Sequence, residues 1–182
     1  MLLLVLGVLL WAFAHFFKRL MPDARAKMGD RGKGIVAIAL VISIVLMVIG
    51  YRQAEVIDLW VAPSWMIHIN NLLVLIAIFM MSPAPQKGRI LNGMRHPMMT
   101  GFAIWTLGHI LVNGDVASLI LFGGLLAWVP IQISMINKAE PELERPAPGA
   151  YAKDGMFLVA SLVLMAIIGY IHYWVGPWPY PV

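Results

Sequence analysis

His15, His68 and His109 each stand inside an otherwise apolar stretch, and an imidazole in that setting is the side chain with the most chemistry to offer here. An ionisable group within a membrane span is costly and is usually kept for a task. Neutral imidazole is the commonest metal ligand, and two facing imidazoles from separate helices can hold haem iron axially. The plainer reading is a buried imidazole hydrogen-bonded to a neighbouring hydroxyl or amide, and for His68 the following Asn70-Asn71 offers such a partner. On the residues alone, both readings stay open for all three. Gly101, Trp105, His109 and Asn113 are spaced by four, so they form one slowly drifting stripe on a helix. Lipid gives an imidazole nothing to bond, which turns that stripe toward protein or a cofactor.

His96 sits in an Arg95-His96-Pro97 turn, where it can cap or solvate a helix start, and Pro97 suits a first helical turn. His172 lies beside Tyr173 and Trp174, where reaching toward an interface explains it. Other chemistries lack their residues. There are no cysteines, which excludes disulfides, thiolate metal sites and cysteine nucleophiles. Every Asp and Glu falls in an expected loop, Asp115 and Asp154 included, and no glycine-rich phosphate cradle is present. Glu140-Pro141-Glu142-Leu143-Glu144 reads as a solvated acidic run. The thirteen methionines read as adaptable packing filler.

The elements that must position these histidines are membrane spans. The 182 residues are 61% hydrophobic and 12% charged, about half the charge of a soluble domain. The expected architecture is all-α, a single-domain (1–182) polytopic helical bundle in a lipid bilayer. Six apolar segments, 1–17, 34–51, 65–82, 98–113, 116–136 and 156–175, are its spans, several near the ~17-residue lower limit. The first segment has no positive residue before it and Lys18-Arg19 after it, the reverse of a secretory signal. Of the 13 Lys and Arg residues, all except Arg52 lie in the loops after segments one, three and five. That bias makes those loops cytoplasmic and both termini periplasmic, and it reads as topology rather than as a nucleic-acid footprint. The aromatic ending Tyr173-Trp174-Val175-Gly176-Pro177-Trp178-Pro179-Tyr180 is expected as an interfacial belt.

The segment Arg95-His96-Pro97-Met98-Met99-Thr100-Gly101, with Trp105, His109 and Asn113-Gly114-Asp115, resembles the NnrU family of bacterial membrane proteins. The resemblance covers nearly the whole chain, taking in Ala14-His15, Gly50-Tyr51, Leu59-Trp60, Pro63-Ser64-Trp65-Met66-Ile67-His68 and His172 to Pro177. It implies an inner-membrane protein linked to denitrification and the nitric oxide response, with a redox or denitrification-enzyme partner. The same pattern is similar to plastid zeta-carotene isomerases, which are b-type haem proteins. That similarity implies haem b with His15 and His109 as axial ligands, Trp105 and Asn113 beside the cofactor, and Arg19 or Arg95 with His96 toward its propionates. Thr106 stands where the isomerase has a cysteine and Tyr51 where it has another histidine, so haem binding carries over better than isomerase activity. A more distant likeness to isoprenylcysteine and phospholipid methyltransferases, which use S-adenosylmethionine, rests on the Arg-His-Pro turn, with Met99 in place of a tyrosine and Glu140-Pro141-Glu142 in place of paired glutamates. The competing expectations are therefore an isoprenoid isomerase, a lipid or prenyl methyltransferase, or a cofactor-free assembly factor.

Depth separates the histidine pairs. His109 lies roughly 15 Å above the start of its helix, and His15 about 3–8 Å from the inner end of its own. Resemblance therefore favours His15 with His109, whereas depth favours His68 with His109.

Overall fold

Each of the six apolar segments is a helix. The computed structural model describes residues 1–142, 147–176 and 178–180; Glu144, Arg145, Pro177 and Val182 lie outside them. The helices are α1 (Leu2–Leu20), α2 (Pro22–Lys27), α3 (Arg31–Arg52), α4 (Met66–Met81), α5 (Ala84–Lys87), α6 (Pro97–Val112), α7 (Val116–Ser118), α8 (Gly124–Ala139) and α9 (Tyr151–Val175). A π-helical turn, Leu119–Gly123, joins α7 to α8. Among the described residues the only extended pairing is the isolated bridge Asp58–Asp115. Among the described residues four helices are long and apolar enough to cross a membrane: α1, α3, the continuous Val116–Ala139 rod and α9. The apolar α4 and α6 have 16 residues each, about 24 Å of rise, and are shorter than a full hydrocarbon span.

Chain contacts gather into two compact units, each made of two separated stretches. The first contains Met1–Trp60 and Asn113–Pro141. Its main seam is the antiparallel contact of α1 with α3, which is lined by small residues. A Cβ on Gly7 would fall 2.7 Å from Met47 Cγ and 2.9 Å from the Ser43 carbonyl oxygen, and one on Gly50 would run into the backbone of Leu4. Close backbone approach of this kind replaces the missing hydrophobic drive between helices in lipid. Beside this seam α8 runs parallel to α1, with Gly124 against Val8 and Trp128 against Trp11. Pro130 interrupts α8, removing one backbone donor. At the end of α3 the chain is pinned to the start of α7. Leu59 and Trp60 donate to the Gly114 carbonyl at 2.6 and 3.1 Å, and Val116 donates to that of Ile57 at 3.0 Å. Asp115 caps α7 through Ser118 N at 2.9 Å and also accepts from Ser118 Oγ at 2.6 Å. The Tyr51 hydroxyl meets the same Ser118 Oγ at 2.8 Å.

The second unit contains Val61–Val112 and Glu142–Val182. Its seam is the antiparallel contact of α4 with α6, again closed at glycines. A Cβ on Gly101 would sit 2.9 Å from the Ala77 carbonyl oxygen, and one on Gly108 would sit 2.9 Å from Asn70 Oδ1. One expectation is corrected in this unit. Asp154 is not in a loop: α9 begins at Tyr151, five residues before its apolar run, and buries Asp154 in its first turn. The carboxylate accepts from Arg89 N at 2.8 Å and Ile90 N at 3.4 Å, tying the chain after α5 to α9. The aromatic ending also makes contacts within this unit. Tyr180 folds back onto Gly169, whose bare Cα admits its ring, and donates to the Met165 carbonyl at 2.6 Å. Asn71 Nδ2 donates to Pro179 O at 3.1 Å, holding the returning tail against α4.

The Asp154 clasp carries a prediction. Asp154→Ala leaves the N–H groups of Arg89 and Ile90 without their acceptor, and a hydrogen bond to a charged group contributes about 1.5–3 kcal/mol. The unfolding free energy of the purified protein in detergent should fall by about that amount. No change would show that water serves those N–H groups equally well.

Candidate functional site

The two histidines singled out by the resemblance are built the same way. In α1, His15 Nδ1 lies 2.8 Å from the carbonyl oxygen of Trp11, four residues back. In α6, His109 Nδ1 lies 2.9 Å from the carbonyl oxygen of Trp105, again four back. A carbonyl oxygen only accepts, so Nδ1 carries the proton in both, and the lone pair is on Nε2. This is the orienting bond that metal-bound histidines use to fix ring and tautomer. The tryptophan that lends the carbonyl also lends its ring, with centroids 4.4 Å apart for Trp11–His15 and 4.8 Å for Trp105–His109.

Each imidazole then has its own wall. In the first unit Trp128 of α8 closes on His15 at 4.7 Å and on Trp11 at 5.7 Å. One helical turn further, on the same face of α8, Gln132 is buried and its Oε1 has no hydrogen-bond partner among the described residues. A buried amide oxygen without a donor costs about 1–3 kcal/mol, so it marks a place where a donor from outside the chain fits. In the second unit Phe102 packs at a tilt against Trp105, with centroids 5.3 Å apart, and His172 of α9 lies within electrostatic range of His109.

The remaining sequence-derived residues are distributed more widely. His68 lies on α4 near the level of His109, since Asn70 meets Gly108, but it is exposed. Two residues from Asn70 is about 200° around a helix, which turns His68 away from the α6 seam. His96 ends the turn before α6, and its carbonyl accepts from both N and Oγ1 of Thr100 at 2.9 Å. Arg95 is half-buried next to it. Asn113 belongs to the turn grouped with the first unit, whereas Trp105 and His109 belong to the second. Thr106 is buried and donates to the Ala103 carbonyl at 2.8 Å, so it is committed to its own helix. Among the described residues no three His, Asp or Glu side chains gather to hold a metal ion. The chemistry open to this arrangement is that of single imidazoles walled by indoles, as in an axial ligand to a large planar cofactor.

Trp11, Trp128 and Gln132 were not singled out in the sequence, although one signal was there to read: Trp11 precedes His15 by the same four residues that separate Trp105 from His109. Trp128 and Gln132 lie far off in the chain and needed the fold.

Four bilayer-length apolar helices and a repeated indole–imidazole element define a helical membrane protein with a candidate cofactor-ligand site. Within that class the chain belongs to the NnrU family, whose model, described as NnrU protein, matches residues 3–179. No curated protein and no solved structure matches it.

Proposed function

We propose that the chain is a b-type haem protein of the bacterial inner membrane acting in nitrogen-oxide metabolism, with His15 and His109 as axial ligands. The observation that carries this reading is the repeated Trp-x-x-x-His element, in which each Nδ1–H is spent on a helix carbonyl and each Nε2 keeps its lone pair. Haem iron would supply one-electron redox chemistry and binding of a diatomic gas. The chain's own residues have separate tasks: Trp11, Trp128 and Trp105 shield the imidazoles from water, and Gln132, one turn beyond Trp128, offers an amide oxygen that has no partner among the described residues. Arg95 and His96, at the start of α6, would pair with propionate carboxylates. The nitrogen-oxide role and its redox or denitrification-enzyme partner rest on membership of the family.

The test is an absorption spectrum of the protein purified from haem-replete cells. A sharp reduced α-band of the b type supports the reading. A featureless spectrum from fully folded protein overturns it and leaves an assembly role.

The same reading counts α4 and α6 as spans, which makes six, with both termini periplasmic. Twelve of the 13 Lys and Arg residues follow segments one, three and five, and that bias supports it. Reporter fusions after Gly32, Gly88 and Gly149 should read cytoplasm, and one after Val182 should read periplasm. A cytoplasmic C-terminus would mean an odd number of crossings.

A further inference from the structure

In the first unit, the C-terminal ends of α1 and α8 lie side by side around a cavity of about 430 Å³. That volume is within the range of small-ligand clefts, about 300–1,000 Å³. Three cations line it, Lys18 and Arg19 from the last turn of α1 and Lys138 from the last turn of α8, against one carboxylate, Glu140. Arg19 gives Nη2 to Glu140 at 3.1 Å, yet its Nε is buried with no acceptor among the described residues. Among the described residues that leaves two positive charges without a carboxylate and one guanidinium N–H without an acceptor, all calling for an anion. The rest of the lining is apolar, Pro22, Met135 and Ala139, and both α1 and the continuous Val116–Ala139 rod that α8 completes are long and apolar enough to cross a membrane. Their ends therefore lie at headgroup level.

We propose that this cavity binds the phosphate of an anionic phospholipid headgroup, with Lys18, Arg19 and Lys138 as its cationic donors and Pro22, Met135 and Ala139 against the glycerol and upper acyl chain. Basic clefts between helices at a membrane surface recognise such headgroups through point charges and forked guanidinium bonds. A zwitterionic headgroup fits poorly, because its ammonium adds to the three cations already there. A soluble phosphate ester shares the chemistry of the charged end but has no use for the apolar flank. The plain competitor is general attraction of cations to helix C-termini and to any negative surface.

The full-length protein is reconstituted in nanodiscs of phosphatidylcholine alone or doped with phosphatidylglycerol, and the thermal midpoint and the lipid retained after delipidation are measured. Phosphatidylglycerol should raise the midpoint and be retained selectively. In Lys18→Gln/Lys138→Gln its affinity should fall roughly thirtyfold, from about fivefold per lysine near the surface. Lys18→Arg/Lys138→Arg should restore it, which also shows that the doubly substituted chain still folds. Lys27→Gln/Lys33→Gln removes the same charge away from the cavity and should leave selectivity intact. Inorganic phosphate added to phosphatidylcholine discs separates the sources: an equal shift, lost in Lys18→Gln/Lys138→Gln, supports a phosphate site served from solution. Equal loss in both glutamine pairs overturns the proposal in favour of diffuse surface charge. Loss of haem together with phosphatidylglycerol overturns it as well, because the cations would then serve propionates. The proposal is independent of the haem reading, since lipid retention is read on haem-free protein too.

Discussion

His109→Ala should abolish the low-spin b-type spectrum while leaving the protein in the membrane. Insertion survives because the substitution takes a polar ring out of an apolar helix, which favours partition into lipid. The seam of α6 survives because it is closed at Gly101 and Gly108 against α4 and not at position 109. What disappears is a neutral imidazole whose Nδ1–H is already bonded to Trp105 O, the state in which Nε2 donates to iron without a proton to displace. His15→Ala should convert the iron to a five-coordinate form, because His15 has the same carbonyl bond and the same indole neighbour. His172→Ala is the decisive comparison, since His172 lies within electrostatic range of His109. It should leave the spectrum unchanged. A five-coordinate His172→Ala beside a normal His15→Ala would instead assign the second ligand to α9. Full haem and an unaltered spectrum in His109→Ala would remove the central claim and return His109 to a buried hydrogen-bonding role.

The parts of this fold that the sequence made legible are those governed by bilayer thickness. The run expected at 98–113 is a helix at Pro97–Val112 and the run expected at 65–82 is one at Met66–Met81, because apolar length and a proline or serine at the ends decide both. Helix α1 runs to Leu20, which puts His15 about 7–8 Å from its end, at the upper limit of the expected range. Illegible were features set by contacts between distant residues. Asp154 looked like a loop carboxylate because nothing local reveals that two backbone N–H groups at 89–90 wait for it. Tyr180 looked like an interfacial ring because its partner is a bare glycine eleven positions back. At the candidate site the four-residue spacing was visible for Trp105 and His109. The wall that Trp128 builds on His15 was not, since α8 and α1 are more than a hundred residues apart in the chain.

Gly50→Ala and Gly34→Ala should have opposite signs, although both replace a glycine by alanine in the same helix. At Gly34 a Cβ has nothing within 4 Å, so the substitution only improves helix propensity, a gain of a few tenths to about 1 kcal/mol. At Gly50 the added carbon would meet the amide nitrogen of Leu4 and lie 2.7 Å from its Cα. Those are backbone atoms, so no rotamer change relieves the clash, and α1 must move away from α3. Separation is expensive here because helices in lipid associate through close packing instead of hydrophobic burial, and the rest of the seam, Gly7 against Met47 and Ser43, depends on the same approach. Overpacking a fitted seam costs about 1–3 kcal/mol, and a backbone clash belongs at the upper end. Thermal midpoints of the two variants in one detergent should therefore fall on opposite sides of the parent protein. If Gly50→Ala matched the parent, α1 would not lie against α3 as described. The helix that carries Trp11 and His15 would then lose its frame, and with it the alignment that brings Trp128 onto His15.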